Sequence, residues 1–148
     1  MIESNREIKK PSEKREIMPR FEASALRGYC VSVLTASGVE RSCAEAVADA
    51  LIDAELTGVS THGVSRLAVY MQRMDAGVMS RENNIRIVRE STSTLVVDAG
   101  NSLGAAAAKF AMERCIAKAK EAGCCFASVH SSNHFGTAAY YTRLAAAQ

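Results

Sequence analysis

From residue 21 onwards, apolar positions recur at the three- and four-residue spacing of amphipathic helices. The first such segment predicts a helix over residues 22–36 that stops near Gly38. A second helix is predicted to open with a capping box, in which the Ser42 hydroxyl accepts from a free N–H and Glu45 reaches back to the cap. One face of this helix carries Val47, Leu51 and Ala54, and another carries Glu45, Asp49 and Asp53. For the carboxylate stripe we favour a solvated helix face over a metal site.

A third helix is predicted to take Ser60 or Thr61 as its cap and to end near Gly77. Its buried stripe consists of Val64, Leu67, Met71, Met74 and Val78. Beyond residue 80 the pattern predicts strands over residues 85–89, 94–98 and 125–129, a long helix that ends at Gly123, and a last helix over residues 137–147. The long helix has a small-residue face suited to close packing, formed by Ala105, Ala108, Met112, Cys115, Ala119 and Ala122. This order of elements indicates an α/β chain with a helical N-terminal lobe.

Composition and charge exclude several classes of protein. The chain has 148 residues, of which 48% are hydrophobic, and its net charge is +2. These values suit a compact domain and not a disordered chain. Residues 1–20 hold six Lys or Arg against four Glu and are interpreted as a flexible charged leader, whereas residues 21–148 hold twelve of each sign. The globular part therefore lacks the basic field that nucleic acid requires, and we expect no nucleic-acid partner.

The chain also carries no signal for a membrane or for secretion. A membrane span needs a long, continuous apolar run, and the chain has none; its N-terminus also lacks the apolar core of a secretion signal. The five cysteines, an odd number without a disulfide spacing, fit reduced thiols in the cytoplasm best. For the adjacent Cys124 and Cys125 we favour small buried hydrophobes over redox or metal chemistry, because no CxxC spacing is present.

The first candidate site begins at Thr61. If a helix starts there, His62, Arg66 and Tyr70 share a face that is turned away from the apolar stripe. An Arg in such a group can hold a carboxylate bidentately, and a His beside it can pass a proton to a neighbouring oxygen. Periodicity alone favours an ordinary solvated face over this site.

The second candidate is the polar loop over residues 131–136, which follows a strand and precedes a helix. Such loops often hold ligands in α/β proteins, and His134 has the ordinary pKa of a general acid or base. A capped turn, with Ser132 or Asn133 serving the next helix, is an equally good interpretation. His130 and His134 have a zinc-like spacing but no evident third ligand, so we predict no metal site. Residues 95–104 lack the G-x-G-x-x-G fingerprint and are interpreted as a turn, not as a dinucleotide cradle.

Together these residues resemble the malate/L-lactate dehydrogenase family, whose members include ureidoglycolate dehydrogenase and 2,3-diketogulonate reductase. The resemblance is carried by Gly58-Val-Ser-Thr-His62-Gly-Val-Ser-Arg66-Leu, Tyr70, Leu95-Val-Val-Asp98-Ala-Gly and Ser131-Ser-Asn-His134-Phe-Gly136, which occur in the family's order. It covers about residues 21–148. This family is unrelated to the Rossmann-type dehydrogenases, which accounts for the missing glycine fingerprint.

The resemblance implies reversible hydride transfer between NAD or NADP and a small 2-oxo or 2-hydroxy acid such as malate or lactate. His134 matches the family's acid/base histidine, and His62 is the second catalytic candidate. The substrate-binding positions that the resemblance implies are Thr61, Arg66, Tyr70 and Asn133. Arg66 is expected to hold the substrate carboxylate, and Thr61 stands where many relatives carry serine. A homodimer is also implied, whereas the cofactor-binding residues are not identified.

The chain departs from the family in length, because members are considerably longer and carry most of their dinucleotide domain after the SNHFG loop. We therefore expect a truncated α/β protein with a leader over residues 1–20, a helical N-terminal lobe over residues 21–80 and the beginning of an α/β domain over residues 81–148. Two alternatives remain open. One is a catalytically inactive truncated subunit that acts as an assembly module, and the other is a small metal-binding protein that uses His130, His134 and the Cys124–Cys125 pair.

Overall fold

The structure is a computed structural model that describes residues 20–148, so the predicted charged leader lies outside the described residues except for Arg20. The elements are α1 Ala23–Ala36, α2 Arg41–Leu56, a 3₁₀ turn Ser60–His62, α3 Ser65–Asp75, β1 Arg86–Glu90, β2 Thr94–Asp98, α4 Gly104–Ala122, β3 Phe126–His130 and α5 Ala138–Ala146. The predicted order of helices and strands, and with it the α/β fold class, is confirmed. Within the described part of the chain, no helix has the length and apolar character needed to cross a membrane.

The three strands form one sheet in the order β1-β2-β3. β1 and β2 are antiparallel, and a register shift occurs between Ile87 and Arg89. β2 and β3 are parallel, so that Asp98 at the carboxyl end of β2 lies beside His130 at the carboxyl end of β3. This pairing brings the turn before α4 and the loop before α5 to the same edge of the sheet.

The main core lies among the helices, and α2 is its centre. Its largest fully buried side chains include Leu34 of α1, Leu51 of α2 and Met74 of α3. A smaller cluster formed by Leu95, Val97 and Ala111 lies between the sheet and α4. The first turns of α4 pack into the main core, and its later turns cover the sheet. α4 therefore joins the helical part to the sheet.

The predicted capping box at Ser42 is wrong. α2 begins at Arg41, with the extended residue Glu40 as its cap, so Ser42 already lies inside the first turn. The Ser42 hydroxyl donates to a Glu40 carboxylate oxygen at 2.6 Å, and Glu45 accepts from Arg41 at 2.9 Å. A capping box requires Ser42 to be the residue just before the helix. Because α2 already begins at Arg41, the side chains of Ser42 and Glu45 do not form the box and make these other contacts.

Two of the three carboxylates in the α2 stripe, Asp49 and Asp53, do not form the solvated face that the sequence favours, whereas Glu45 pairs with Arg41 of the same helix. Asp49 forms ion pairs with Arg27 of α1 at 2.6 Å and with Lys109 of α4 at 3.4 Å, and Asp53 pairs with Arg143 of α5. The side chains of both aspartates are at most 27% exposed. The stripe therefore links α2 to three other helices. Among residues 20–148, no group of three His, Cys, Asp or Glu side chains is arranged to hold a metal ion.

The start of the third helix also differs from the prediction. Ser60 and Thr61 belong to a separate 3₁₀ turn and do not cap α3, whose N-terminal end is bound instead by Glu55 of α2. The Val64 N–H donates to the Glu55 carboxylate at 2.8 Å. A Cβ on Gly63 would overlap that carboxylate, so a larger residue at this position would displace the Glu55 side chain. At the other end, α3 stops at Asp75, which leaves Val78 outside the helix and 51% exposed.

Candidate active site

The two candidate sites of the sequence meet through Tyr70 and His134. Tyr70 lies on α3 and is only 3% exposed, so the expectation that it faces away from the core is wrong. Its Oη lies 2.8 Å from Nδ1 of His134, in the loop between β3 and α5. This hydrogen bond joins the helical part of the chain to the end of β3.

His62 reaches the same place from the 3₁₀ turn and not from α3. The predicted common helix face is therefore correct only for Arg66 and Tyr70. The ring centroids of His62 and His134 are 5.4 Å apart, and the Thr61 hydroxyl lies 3.0 Å from Nδ1 of His62. The imidazole of His62 therefore lies beside His134, but it extends from the 3₁₀ turn and not from α3 as expected.

Two arginines of α3 lie beside this group. The Arg66 Nε donates to the Thr61 carbonyl oxygen at 2.7 Å, which fixes the side-chain stem against the 3₁₀ turn. One terminal nitrogen of Arg73 lies 3.4 Å from Oδ1 of Asn133. The sequence reasoning missed Arg73. Its position three residues after Tyr70 and seven after Arg66 was the available signal.

Asn133 ties the loop after β3 to the turn before α4. Its Nδ2 lies 3.0 Å from the Asn101 carbonyl oxygen, 2.9 Å from Asn101 Oδ1 and 3.0 Å from the Ser102 carbonyl oxygen. The residue that caps α5 is Thr137, so the interpretation of Ser132 or Asn133 as a helix cap is wrong. Asn133 instead fixes the shape of the loop that carries His134.

Gly104 permits the close contact between this loop and α4. A Cβ at this position would overlap the carbonyl oxygen of Asn133 and lie 2.6 Å from that of His134. Beside it, the buried Ser102 hydroxyl donates to the Glu82 carbonyl oxygen at 2.8 Å and accepts from the Asn84 N–H at 3.2 Å. Neither Gly104 nor Ser102 was identified from the sequence, because their roles depend on segments that are distant in the chain.

The assembled side chains surround an open cleft of about 410 Å³. It is lined by Arg66, Val69, Tyr70, Arg73, Ser132, Asn133 and His134. These lining residues include no carboxylate, and within residues 20–148 neither arginine forms an ion pair. A cleft with two unneutralised guanidinium groups is suited to an anionic ligand.

The family of the chain follows from a direct comparison with known proteins. The family model described as malate/L-lactate dehydrogenase matches residues 21–148. The chain belongs to the malate/L-lactate dehydrogenase family. The resemblance expected from the THG and SNHFG stretches is thereby confirmed.

Individual relatives in the malate/L-lactate dehydrogenase family match most of this chain but only part of their own. The L-sulfolactate dehydrogenase of Methanothermobacter thermautotrophicus is 38% identical over 87% of this chain and 37% of the relative. The malate dehydrogenase of Pyrococcus horikoshii is 37% identical over 86% of this chain and 35% of the relative. The solved structure of a P. horikoshii malate dehydrogenase has a TM-score of 0.84 at 36% identity, with 87% of this chain and 37% of that chain covered. The chain thus spans little more than a third of the length of these relatives.

In this family member, burial and nearby charges shift the pKa values of both partners of the central hydrogen bond in the direction that favours their neutral forms. Burial raises the pKa of Tyr70 above its ordinary value, although the Arg66 charge opposes the shift. Burial, followed by the charges of Arg66 and His62, lowers the pKa of His134 below its ordinary value. Within residues 20–148, Nε2 of His134 has no hydrogen-bond partner, so this nitrogen is free to exchange a proton with a ligand.

His130, the other histidine of the zinc-like spacing, has different partners. Its Nδ1 lies 3.0 Å from the Ser131 hydroxyl and 3.8 Å from an Asp98 carboxylate oxygen. Asp98 in turn accepts from the Gly100 N–H at 2.9 Å and pairs with Arg86, and the pKa of its carboxyl is lowered chiefly by the Gly100 bond. This histidine therefore belongs to the edge of the sheet and not to the cleft.

Proposed function

We propose that the protein is an oxidoreductase that transfers a hydride between a nicotinamide cofactor, NAD or NADP, and a small 2-hydroxy or 2-oxo acid such as malate or lactate. The observation that carries the proposal is the Tyr70–His134 hydrogen bond, in the wall of a cleft that also contains Arg66. A 2-oxo acid presents a carboxylate next to the oxygen that gains or loses a proton. A guanidinium beside a histidine is suited to both groups.

Arg66 is proposed to hold the substrate carboxylate. Its Nε is occupied by the Thr61 carbonyl oxygen, and this contact leaves the two terminal nitrogens for a bidentate pair of charge-assisted hydrogen bonds. Thr61 therefore contributes to substrate binding through the position of Arg66. Tyr70 and Asn133 lie beside the same cleft and complete the substrate-binding group.

His134 is proposed to carry the proton, at Nε2. Nδ1–H of His134 donates to the oxygen of the buried, protonated Tyr70 hydroxyl, so the ring presents only Nε2 to the cleft, with a proton before reduction and without one before oxidation. In reduction, protonated His134 donates from Nε2 to the oxygen that becomes the hydroxyl group. In oxidation, neutral His134 accepts that proton. His62 is assigned a supporting role, because its charge lowers the pKa of His134 and its Nδ1 is occupied by Thr61.

A nicotinamide cofactor, when bound, supplies or accepts the hydride. The turn between β2 and α4 does not fit the pyrophosphate of such a cofactor. There the Gly100 N–H is bound by Asp98, the Asn101 N–H donates to the Ser131 carbonyl oxygen at 2.8 Å, and Gly104 is covered by the loop that carries His134. The free N–H groups that an anion needs at a helix start are thus engaged or covered. We therefore assign only the substrate and the proton to residues of this chain.

A titration with oxamate, an unreactive monoanionic analogue of a 2-oxo acid, tests the proposal on the chain of 148 residues. We expect the ring signals of His134 to shift in NMR spectra. Arg66→Lys should weaken binding by about 1.5–3 kcal/mol, because an ammonium group cannot replace the bidentate pair. Arg89→Lys, on exposed β1, is the matched control and should bind as the original chain does. Failure of the chain to bind oxamate, or unchanged binding by Arg66→Lys, would contradict the proposal.

An assembly module without turnover is the second candidate function. The observation that favours it is an apolar groove of about 390 Å³ between α4, β3 and α5. Phe126, which is 70% exposed, and Phe135, which is 44% exposed, both line it. Light scattering combined with the oxamate titration separates the two functions. A stable oligomer that binds no 2-oxo acid would support the module.

We further propose that the protein works in the cytoplasm as a homodimer, with a helical lobe over residues 21–80 and the beginning of an α/β domain over residues 81–148. The five free cysteines are typical of a reducing compartment. The apolar groove offers a surface that a second subunit can cover. Cell fractionation and light scattering test the location and the oligomeric state.

A further inference from the structure

Arg73 has no role in the chemistry described above, although it lies in the same cleft as Arg66. The two residues lie on one face of α3, about two helical turns from each other along the axis. Tyr70 lies between them and holds His134. The cleft therefore has a guanidinium on either side of the tyrosine that orients the proposed proton carrier.

The charges of these two arginines are not balanced by the protein. In the part of the chain that the structure describes, seven other cations form ion pairs with carboxylates, namely Arg27, Arg41, Arg81, Arg86, Lys109, Lys118 and Arg143. Arg66 and Arg73 form none there, and no lining residue of the cleft is acidic. Two like charges that line one cleft raise its affinity for a ligand with two negative groups more than for a ligand with one.

The Arg73 guanidinium has one polar contact with the loop after β3. Asn133 Oδ1 lies 3.4 Å from its terminal nitrogen, and the Asn133 amide is itself fixed by Asn101 and Ser102 on its other side. A neutral amide orients the guanidinium without cancelling its charge. Its remaining N–H groups are therefore available to a ligand in the cleft.

We propose that Arg73 is a specificity-determining residue that pairs with a second anionic group of the substrate, a carboxylate or a sulfonate. The site accordingly prefers dianionic 2-oxo and 2-hydroxy acids to monoanionic ones. This inference rests on the proposed function and adds the charge class of the substrate to it. Arg66 anchors the carboxylate next to the reacting carbon, and Arg73 anchors the group at the other end.

The test compares L-malate with L-lactate, which differ by one carboxylate, in calorimetric titrations of the full chain. We expect malate to bind at least about tenfold more tightly than lactate, as a charged hydrogen bond implies. Arg73→Gln should weaken malate binding to the level of lactate and leave lactate binding within about twofold. Arg89→Gln removes the same charge from exposed β1 and should change neither affinity. L-sulfolactate, titrated in parallel, distinguishes a sulfonate from a carboxylate as the second group.

The outcomes separate this inference from the proposed function. If Arg73→Gln leaves malate binding unchanged while Arg66→Lys weakens both ligands, the specificity role is refuted and the proposed function stands. If Arg89→Gln weakens malate as much as Arg73→Gln does, net charge is responsible and the role is again refuted. If the original chain binds neither malate nor lactate, both proposals fail. Circular dichroism of each variant checks that the exposed substitutions leave the fold intact.

Discussion

The hydroxyl of Tyr70 lies 2.8 Å from Nδ1 of His134, although the two residues are 64 positions apart in the chain. Tyr70 is held in the helical core, whereas His134 lies in an exposed loop after the edge strand. The bond therefore gives the loop histidine a fixed ring orientation that its own neighbours do not supply. It also leaves Nε2 as the ring nitrogen that faces ligands.

Tyr70→Phe should remove this restraint with little change to the packing, because only the hydroxyl is lost. We expect a decrease of about 0.5–1.5 kcal/mol in the free energy of unfolding, the usual contribution of one hydrogen bond. The ¹⁵N signals of His134 should also change, since Nδ1 loses its partner. Denaturant titration and NMR measure the two effects. Tyr29→Phe, at an exposed tyrosine of α1, should change neither.

Arg66→Gln should raise the pKa of His134. The positive charge of Arg66 is one of the causes that lower this pKa, after burial, and its removal makes the protonated ring less unfavourable. An NMR titration of the ring protons should show the midpoint move upwards, towards the ordinary value of histidine. The fraction of protonated His134 in mildly acidic solution then rises. Arg89→Gln, on β1, should leave the midpoint unchanged, and an unchanged midpoint in Arg66→Gln would mean that the two side chains do not interact in solution.

The sequence predicted the order of the helices and strands because each of them has a local pattern of apolar residues. Apolar spacings of three and four marked the helices, and short apolar runs between turns marked the strands. The beginnings of α2 and α3 were predicted wrongly. Glu40 occupies the cap position of α2 in place of Ser42, and Glu55 accepts from the N–H at the start of α3 in place of Ser60. Because Glu55 belongs to α2, the residues around the start of α3 carry no sequence pattern that indicates this contact.

The sequence indicated the chemically active side chains of the candidate site but not the residues that position them. His62, Arg66, Tyr70 and His134 are residue types that stand out in short motifs, and the structure brings all four together. Arg73 and Gly104 were not predicted, because Arg73 contacts Asn133, which is 60 positions away in the chain, and Gly104 lacks a side chain where the Asn133 loop packs against α4. Contacts of this kind depend on the pairing of β2 with β3, which no local pattern shows.

Gly104→Ala should destabilise the protein despite the higher helix propensity of alanine. The new Cβ would overlap the Asn133 carbonyl oxygen, so the loop that carries His134 must shift, at a cost of about 1–3 kcal/mol. Gly28→Ala provides a matched control within α1, where no atom lies within 4 Å of the added Cβ. That variant should gain about 0.5–1 kcal/mol. Denaturant titrations that show the same sign for both variants would contradict the close contact at Gly104.

The exposed face of Phe126 should promote association of the chain with a second copy. The ring is 70% exposed at the edge of the sheet and borders the apolar groove that α4, β3 and α5 form. Its burial in a partner is therefore favourable. Light scattering at increasing protein concentration should reveal a dimer, and Phe126→Ser should shift the population towards monomer. Tyr29→Ser removes a similarly exposed aromatic ring from α1, away from the groove, and should leave the equilibrium as it was. A chain that remains monomeric at all concentrations, with or without Phe126, would show that the groove does not bind a second copy.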